Sequence, residues 1–440
     1  MVERVANAQL DDAADEPRLS GFGSPSASAA ATAAAARDRL ATWLALLDRP
    51  LTSYYLIVGI TALLLGLGLV MVLSTSSVQD LAEGLPPYSD FKKQLLGAAF
   101  GLPIMYFAAR SSPRLFRAAA YPLLGVSLLG LGLTLIPHVA RSAYGASRWI
   151  AIGPLQIQPS EFAKLALVLW GADLLARKER LRQLEDWRHL LIPLLPGAGL
   201  LAMLVMAGDD LGTTFVLLII FITMLWVIGT PGRIFGGMLA LMGLVMLLLA
   251  VTSAYRLKRL TGFVNPQGGP MGPNMQGIQG KYAVGSGGLF GVGLGASGEK
   301  WGYVPESTSD FIFAIIGEEL GLVGTLCVCL LYGGLAFAGL RVARRVQDTF
   351  SRLAAAAITA WIVMQAVVNI GAVIGILPIT GVPLPLVSAG LSSLLVTMVA
   401  LGMLMSFARR EPGAREALAA RGPALPLRLL SWLGLTQRPE

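Results

Sequence analysis

The chain has 440 residues and a formal net charge of +8, yet only 14% of its residues are charged and 55% are hydrophobic. Because soluble globular proteins carry about 25% charged residues, this composition excludes an ordinary soluble protein and predicts a membrane protein. A positive net charge indicates nucleic-acid binding only where the basic residues form a patch. Here they are spread over the loops between apolar runs, and we expect no nucleic-acid partner.

Ten apolar runs follow one another along the chain, each of about 20 residues, the length that crosses a bilayer as a helix. They are continuous rather than alternating, which predicts helices and not the strands of a barrel. The predicted fold class is therefore an all-α polytopic membrane protein with about ten transmembrane helices. The runs cover residues 54–74, 91–109, 115–137, 159–176, 190–206, 211–229, 233–253, 308–340, 351–376 and 383–407.

The basic residues predict how these helices are oriented. Of the 34 lysine and arginine residues, 24 fall in segments on the side of the N-terminus, seven in segments on the other side and three within the spans. Since Lys and Arg concentrate in cytoplasmic loops, we expect both termini in the cytoplasm. The long loop 254–307, between helices 7 and 8, then lies outside, and its length is typical of a functional or disordered loop.

The chain divides into a transmembrane domain and two tails. Residues 1–53 are predicted to be a cytoplasmic tail, disordered at first and then an amphipathic helix over residues 33–49 on the membrane surface. Residues 54–407 form the transmembrane domain, and residues 408–440 form a basic cytoplasmic tail. The N-terminus lacks the pattern of a cleavable signal peptide, so the first span is expected to act as its own insertion signal.

The fourth span begins with an unusual group of polar residues. Pro159 suits the first turn of a helix, where its missing N–H costs nothing. Glu161 and Lys164 are three residues apart and share one face of that helix. They form either an ion pair that lets two charges enter the edge of the membrane, or part of the lining of a polar cavity. We favour the cavity, because charged side chains within a span usually face the interior of the helix bundle. Arg148 precedes them in the loop 138–158.

The short acidic connection before the sixth span has two interpretations. The adjacent carboxylates of Asp209 and Asp210 suit the oxygen ligands of a divalent cation. Alternatively, Asp210 caps the following helix through its side-chain oxygen. Taken alone, Asp210 fits the cap slightly better.

Ionisable residues follow a glycine-rich loop within the stretch 285–324. Asp310 stands at the outer mouth of an apolar run, which makes it the first candidate for a functional residue. The loop contains a GxGxxG pattern at 293–298, but no strand precedes it, so we expect these glycines to allow close backbone packing or approach to a ligand. Glu318 and Glu319 in the same run are as suited to a structural role as to a chemical one.

The segment after the ninth span combines three prolines with Gly381, which breaks the helical pattern within residues 369–393. Broken backbone at membrane depth is tolerated only where it is buried in protein or lines a cavity. Ser388 then provides either polar lining or the small side chain of a helix contact.

Three blocks of this sequence together resemble the SEDS family (shape, elongation, division and sporulation) of bacterial membrane proteins. They occur in the family's order as SRWIAIGPLQIQPSEFAK at 147–164, GGLFGVGLGASGEKWGYVPESTSDFIFAIIGEELG at 287–321 and NIGAVIGILPITGVPLPLVS at 369–388. The stretch DFIFAIIGEELG and the long N-terminal tail are more similar to the division type of the family than to its elongation type. Asp209 departs from the family, which usually has proline at that position.

The resemblance implies an inverting glycosyltransferase that polymerises lipid II, the undecaprenyl-pyrophosphate-linked disaccharide-pentapeptide, at the outer face of the bacterial cytoplasmic membrane. It implies a class B penicillin-binding protein as partner, together with other proteins of the division septum. Asp310 matches the family's essential acidic residue. The matching blocks also contain residues expected to line the substrate cavity, namely Arg148, Glu161, Lys164, Lys300 and Ser388.

The chemistry of glycosyl transfer from a pyrophosphate agrees with these residue types. A base is needed near the acceptor hydroxyl, and Asp310 can serve there. Positive charge is needed near the leaving group, from basic residues or from a divalent cation such as Mg²⁺ or Mn²⁺. Asp210 is the weak candidate for a metal ligand, and no organic cofactor is expected.

Two other functions are compatible with the same sequence. Ten helices with charges inside the membrane also suit a flippase that moves lipid II outward, although matching broken helices in two halves are not evident. A non-catalytic scaffold that recruits a partner synthase at the division site is the second alternative. Polymerisation of lipid II separates the first prediction from both.

Overall fold

A computed structural model describes residues 50–82, 84, 86, 88–136, 140–143, 146–152, 155–181, 187–252, 257, 263 and 275–420. The predicted amphipathic helix at 33–49, most of the first half of the loop 254–307 and the end of the C-terminal tail lie outside these residues. Contacts divide the chain at residue 52, and the residues from 53 onward form one unit.

The described residues form helices joined by short turns, and one small sheet. The helices are α1 Thr52–Ala82, α2 Ser89–Arg110, α3 Pro113–Thr134, α4 Pro159–Arg180, α5 Trp187–Leu191, α6 Leu194–Ala207, α7 Leu211–Val227, α8 Gly232–Val251, α9 Met275–Ser286, α10 Ile312–Arg345, α11 Thr349–Val373, α12 Leu391–Ala408 and α13 Ala414–Ala420. The strands are β1 Ala140–Ala143, β2 Ala146–Ile152 and β3 Leu155–Ile157.

Every one of the ten predicted spans overlaps a helix, and the prediction of a helical, polytopic membrane protein is confirmed. Among the described helices, six are long and apolar enough to cross a membrane, namely α1, α3, α8, α10, α11 and α12. Helices α6 and α7 are apolar but shorter. The number of ten crossings stays a prediction, because α6 and α7 are shorter, and α2 and α4, with 22 residues each, are not apolar enough.

Helix α4 lies in the interior of the bundle, where it packs against α3, α7 and α11. Of its 22 residues, 17 are buried, including Glu161, Lys164 and Asp173. A helix surrounded by protein on all sides needs no lipid-facing apolar surface, so it can hold charged side chains if each has a partner. Pro159 is its first residue, as predicted.

The loop 138–158, for which the sequence predicts no regular structure, holds a three-stranded antiparallel sheet in the order β1-β2-β3. Arg141 lies opposite Trp149, and Ile150 lies opposite Ile157. The alternating residues of β2 and the glycines between the strands are a signal for such a hairpin. The sheet packs on α3, α4 and α12, which fixes the position of Arg148 on β2.

The glycine-rich loop is inserted into a break in α10. At the break, Gly321 has φ 66° and ψ −161°. The N–H groups of Val292 and Gly293 donate to the carbonyl oxygens of Glu318 and Glu319, which would otherwise accept from the next helical turn. The N–H groups of that turn, at residues 322 and 323, donate to loop carbonyls instead. The loop therefore replaces helical hydrogen bonds.

Close backbone packing is the reason for glycine at Gly287 and Gly291, where a Cβ would meet the carbonyl oxygens of Gly317 and Glu319. Within the 293–298 pattern, Gly293 and Gly295 instead have a positive φ and open space around a Cβ, so close packing does not explain them.

We expect Gly291→Ala to destabilise the protein by about 3 kcal/mol. Gly291 has φ +81°, and a Cβ there would lie 2.1 Å from the carbonyl oxygen of Glu319, so the loop would have to leave the helix break. Thermal unfolding in detergent measures the loss. Gly285→Ala is the matched control, since a Cβ on Gly285 would meet no atom within 4 Å; equal losses for both variants would contradict the insertion argument.

Candidate active site

Five helix ends and the sheet meet at one end of the bundle, which we call the site end. They are the N-terminal ends of α2, α4, α7 and α10 and the C-terminal end of α11, and the segment 374–390 lies across them. We call 374–390 the broken segment, because it joins α11 to α12 without regular structure. A Cβ on Gly212 would lie 2.8 Å from the carbonyl oxygen of Thr380, which shows how closely the broken segment approaches α7.

Asp310 lies in a tight turn immediately before α10, not within the helix. Glu306 adopts the left-handed conformation with φ 58°. Its carbonyl oxygen accepts hydrogen bonds from the N–H groups of Ser309 and Phe311, each at 3.1 Å. Asp310 is half-buried, whereas Phe311 beside it is 1% exposed. The buried phenylalanine anchors the turn, which holds the neighbouring carboxylate at the mouth of the bundle.

Two side chains fasten this turn to the broken segment. The amide nitrogen of Asn369 donates to the carbonyl oxygens of Asp310 at 2.7 Å and of Val382 at 2.8 Å. The hydroxyl of Ser388 donates to the carbonyl oxygen of Ser309 at 2.6 Å and accepts from a backbone N–H of the broken segment at 2.7 Å. The backbone on both sides of the Asp310 carboxylate is therefore held in place.

Gly381 of the broken segment lies close to both charged groups of the site. Its φ is +72°, and a Cβ there would lie 3.3 Å from Oδ2 of Asp310 and 3.8 Å from Nη1 of Arg148. The missing side chain leaves room for a carboxylate and a guanidinium near one point. The structure thus brings together a candidate base and a candidate partner for the pyrophosphate, both of which were predicted from the sequence.

The Arg148 side chain is also held by the backbone of the turn that contains Asp209. Its Nη2 donates to the carbonyl oxygen of Asp209 at 2.6 Å. Its Nε is buried and has no hydrogen-bond partner among the described residues, and the same holds for Oδ1 of Asn369 and Oγ1 of Thr380. Because a buried polar atom without a partner is costly, these atoms around Gly381 indicate a place for a polar ligand.

Glu161 and Lys164 form a fully enclosed ion pair at the base of the site. The Nζ of Lys164 lies 2.8 Å from Oε2 of Glu161, and both side chains are 1% exposed. The same ammonium donates to Oε1 of Gln365 at 2.9 Å and lies 5.0 Å from the ring centre of Trp361. In turn, the Gln365 amide nitrogen donates to the carbonyl oxygen of Pro383. The pair therefore supports the broken segment from below; its predicted role in lining the substrate cavity stays a prediction.

Lys300 lies in a second buried cluster, away from Arg148. Its Nζ is 3.2 Å from Oε1 of Glu319 and donates to the carbonyl oxygen of Gly295 at 2.7 Å. Ser74 of α1 donates to the same carboxylate at 2.7 Å. The cluster joins the glycine-rich loop, α10 and α1, so the geometry gives Lys300 and Glu319 a structural task. Substrate binding by Lys300 stays a prediction.

The carboxylate of Asp210 is occupied by hydrogen-bond donors. It accepts from the N–H and the hydroxyl of Thr213 at 3.0 and 2.8 Å, which makes it the N-cap of α7, as favoured above. Gln158 and Ser160 also donate to it, at 3.2 and 3.4 Å. A buried carboxylate surrounded by donors does not fit a metal ligand. No group of three His, Cys, Asp or Glu suited to a metal occurs among the described residues, and the divalent cation stays a prediction.

Comparison with known proteins identifies the family of this chain. The model of one protein family, described as the cell cycle proteins FtsW, RodA and SpoVE, matches residues 54–412. The chain belongs to this family. The matched region contains all ten predicted spans and every residue discussed at the site, so the resemblance to the SEDS proteins is confirmed.

Individual relatives of the FtsW, RodA and SpoVE family cover most of the chain. A probable peptidoglycan glycosyltransferase FtsW of Mycobacterium tuberculosis is 41% identical over 384 residues, which are 87% of this chain and 72% of that protein. The stage V sporulation protein E of Bacillus subtilis is 38% identical over 356 residues, 80% of this chain and 96% of that protein.

Solved structures of the family have the same fold. One belongs to a study of how a peptidoglycan synthase complex coordinates polymerization and crosslinking; its TM-score is 0.65 at 29% identity, over 80% of this chain and 96% of that chain. The rod shape determining protein RodA of Thermus thermophilus has a TM-score of 0.59 at 28% identity, again over 80% and 96% of the two chains.

Three residues of the site are not identified from the sequence alone. Asn369 and Gln365 are amides four residues apart in an apolar span, and this spacing on one helix face is a usable signal for a buried polar contact. Gly381 is predicted from the sequence only as a helix breaker. Its further role depends on which side chains approach it, and no local pattern contains that information.

Gly381→Ala is expected to reduce activity by about 10- to 100-fold, since small displacements of catalytic groups have effects of this size. The added methyl would lie 3.3 Å from Oδ2 of Asp310, tighter than most Cβ contacts, and the positive φ would be strained. Activity per folded molecule is the measurement. Gly229→Ala carries the same backbone strain (φ +82°) with open space around it; a similar loss there would remove the argument from crowding at Asp310.

Proposed function

We propose that this chain is a peptidoglycan glycosyltransferase that polymerises lipid II into glycan strands during septal wall synthesis, as the division type of its family. The proposal is carried by one observation: Oδ2 of Asp310 and Nη1 of Arg148 flank the space left by Gly381. Membership of a family whose relatives are named peptidoglycan glycosyltransferases supports the reaction class.

In the proposed reaction, the acceptor sugar hydroxyl attacks the anomeric carbon of the donor sugar. The bond between that carbon and the pyrophosphate oxygen breaks, and attack from the opposite side inverts the configuration. The proton of the hydroxyl passes to the carboxylate of Asp310 as general base. The charge that develops on the pyrophosphate is stabilised by the guanidinium of Arg148, whose planar fork suits phosphate oxygens.

Different observations support the proposed roles of Asp310 and Arg148. Asp310 is half-buried at the mouth of the bundle, so a substrate can reach it. Arg148 keeps donors for a ligand, because one of its nitrogens bonds the carbonyl of Asp209 and its Nε is unpartnered among the described residues. Asn369 and Ser388 position the base by holding the backbone of its turn. The ion pair of α4 acts further away, through Gln365 and the broken segment.

The site end is proposed to face the outside of the cytoplasmic membrane, with both termini in the cytoplasm. Among the described residues, most lysines and arginines outside the spans lie at the opposite end of the bundle, and Lys and Arg concentrate in cytoplasmic segments. The lipid of the substrate stays in the bilayer, so its pyrophosphate must meet protein groups at the depth of the headgroups. The helix ends that form the site are therefore proposed to lie at this depth.

A class B penicillin-binding protein is the proposed partner, which would cross-link the strands that this chain makes. The similar solved chain belongs to a peptidoglycan synthase complex that combines polymerization and crosslinking. Other proteins of the division septum are proposed as further partners, from the division type of the relatives.

The decisive experiment is polymerisation of lipid II by the purified full-length chain, alone and with its penicillin-binding partner. We expect glycan strands, resolved by gel electrophoresis, and released undecaprenyl pyrophosphate. Movement of labelled lipid II across liposomes without polymer would replace this proposal with the flippase. Polymer made only by an added synthase, and stimulated equally by any variant of Asp310, would support the scaffold.

A further inference from the structure

A second polar site lies at the opposite end of the bundle. A cavity of about 260 Å³ opens there between the start of α3 and the end of α4. None of its lining residues takes part in the proposed reaction. The lining consists of Arg117, Ala118, Asp173, Ala176, Arg177 and Arg180.

Two carboxylates hold the three arginines of this cavity in place. Asp173 is 3% exposed and lies 2.7 Å from Nη2 of Arg177 and 3.8 Å from Nε of Arg117. Asp348, at the start of α11, lies 3.2 Å from Arg117 and 4.0 Å from Arg180. The lining therefore keeps an excess of positive charge, and its geometry is set by buried or half-buried anions rather than by solvent.

The arginines retain donors that these ion pairs do not use. A guanidinium has five N–H groups in a planar fork, and the ion pairs of Arg177 with Asp173 and of Arg180 with Asp348 involve one nitrogen each. The two arginine side chains are 61% and 68% exposed, so the remaining donors can be reached from outside. Nε of Arg117 is buried, and its pair with Asp173 at 3.8 Å is too long for a hydrogen bond, so this N–H makes none within the described part of the chain.

Aromatic rings restrict how these guanidiniums turn. Arg117 stacks over Phe350 at 4.8 Å, and Arg177 stacks over Tyr121 at 5.5 Å. Such cation–π contacts fix the plane of the fork. Planar forks with fixed orientation bind phosphate oxygens in pairs.

The cavity lies at a distance from the site end that corresponds to the headgroups of the opposite leaflet. Helix α4 starts at the site end with Pro159 and has 22 residues, so its far end lies about 33 Å away. This distance is close to the thickness of a bilayer's hydrocarbon core, about 30 Å. On α3, the ring of Tyr121 contacts Arg177 of the cavity and is 45% exposed, and Leu115, two residues before Arg117, is 57% exposed. Apolar side chains next to an arginine cluster at this depth suit a molecule with a charged head and acyl chains.

We propose that this cavity binds the phosphate of an anionic phospholipid headgroup, in the leaflet opposite to the one that holds the active site. The bound lipid would join α3, α4 and the start of α11 at their ends. The proposal does not depend on the proposed glycosyltransferase function.

The test compares thermal unfolding of the full-length protein in nanodiscs of phosphatidylcholine and of an equimolar mixture of phosphatidylcholine and phosphatidylglycerol. We expect the wild type to unfold at a higher temperature in the mixture. Arg177→Gln/Arg180→Gln is expected to lose this shift and most of the phosphatidylglycerol that co-purifies. Arg110→Gln/Arg233→Gln removes two exposed charges at the same end, outside the cavity, and is expected to keep both.

The shift between the two lipid mixtures is used because it cancels any loss of stability that a variant has in itself. The single variant Arg180→Gln is a milder second test, because the ion pair of Arg180 is the longest of the cluster at 4.0 Å. We expect this variant to reduce the shift. An equal shift in the cavity and control variants would overturn the site. Stabilisation by inorganic phosphate in detergent, without any effect of phosphatidylglycerol, would overturn the assignment to a lipid.

Discussion

Replacing Asp310 with asparagine is expected to lower polymerisation of lipid II by at least about 100-fold, the range of a lost general base. Asparagine has nearly the same shape but cannot accept the proton of the acceptor hydroxyl. We expect the fold to survive, because Asn369 and Ser388 hold the turn through its backbone carbonyl oxygens, which the substitution leaves unchanged. The measurement is the initial rate of glycan synthesis by the purified variant with its partner.

Two matched variants make this result specific to Asp310. Glu306→Gln changes the other carboxylate of the same turn, which accepts from Ser309 at 2.5 Å, and should keep most of the activity. Asp90→Asn changes a carboxylate paired with the exposed Lys93 and should keep all of it. Wild-type synthesis by Asp310→Asn, or a larger loss in Glu306→Gln, would assign the base to another residue. Thermal unfolding and partner binding check that the variant is folded.

Breaking the ion pair in α4 should produce the largest loss of stability. Lys164→Met leaves the carboxylate of Glu161 without its cation in a site where both side chains are 1% exposed. Removal of one partner of a buried pair costs about 3–5 kcal/mol, since an unpaired charge remains buried. Thermal unfolding of the variant in detergent, compared with the wild type, measures this loss.

The double variant Glu161→Gln/Lys164→Met separates structure from chemistry at the pair. It has no unpaired charge, so we expect it to be more stable than Lys164→Met alone. The double variant still lacks the hydrogen bond from Lys164 to Gln365, so recovery of activity together with stability would show that the reaction needs neither this bond nor the charge of Lys164. Recovery of stability without activity would show that Lys164 acts on the site, through Gln365 or by contact with the substrate. A double variant no more stable than the single one would contradict the ion-pair argument.

Local patterns in the sequence predict helices and caps well. The ten apolar runs each overlap a helix, α4 starts at Pro159, and Asp210 caps α7. These features depend on hydropathy and on residues three or four positions apart. The three-stranded sheet around Arg148 is not predicted, because short strands depend on pairing between segments more than on their own composition.

The charged residues are harder to assign, since the same residue type serves different purposes in different surroundings. Lys164 and Lys300 are both expected at the substrate cavity. The structure encloses Lys164 with Gln365 beneath the site, and pairs Lys300 with Glu319 beside the glycine-rich loop. The packing of helices that are far apart in the chain decides which anion pairs with a buried cation. Residue spacing within one helix does not predict this pairing.

Hydropathy and motif spacing are properties of neighbouring residues, and they are sufficient to predict the membrane class, the helical runs, the family blocks and Asp310 as the first candidate. The packing of the helices brings Arg148 of β2 and Asp310 of the turn before α10 close to Gly381. The same packing places three arginines around a cavity at the other end. Both arrangements join segments that are distant in the chain, and such contacts arise when helices pack and bury their charges in pairs.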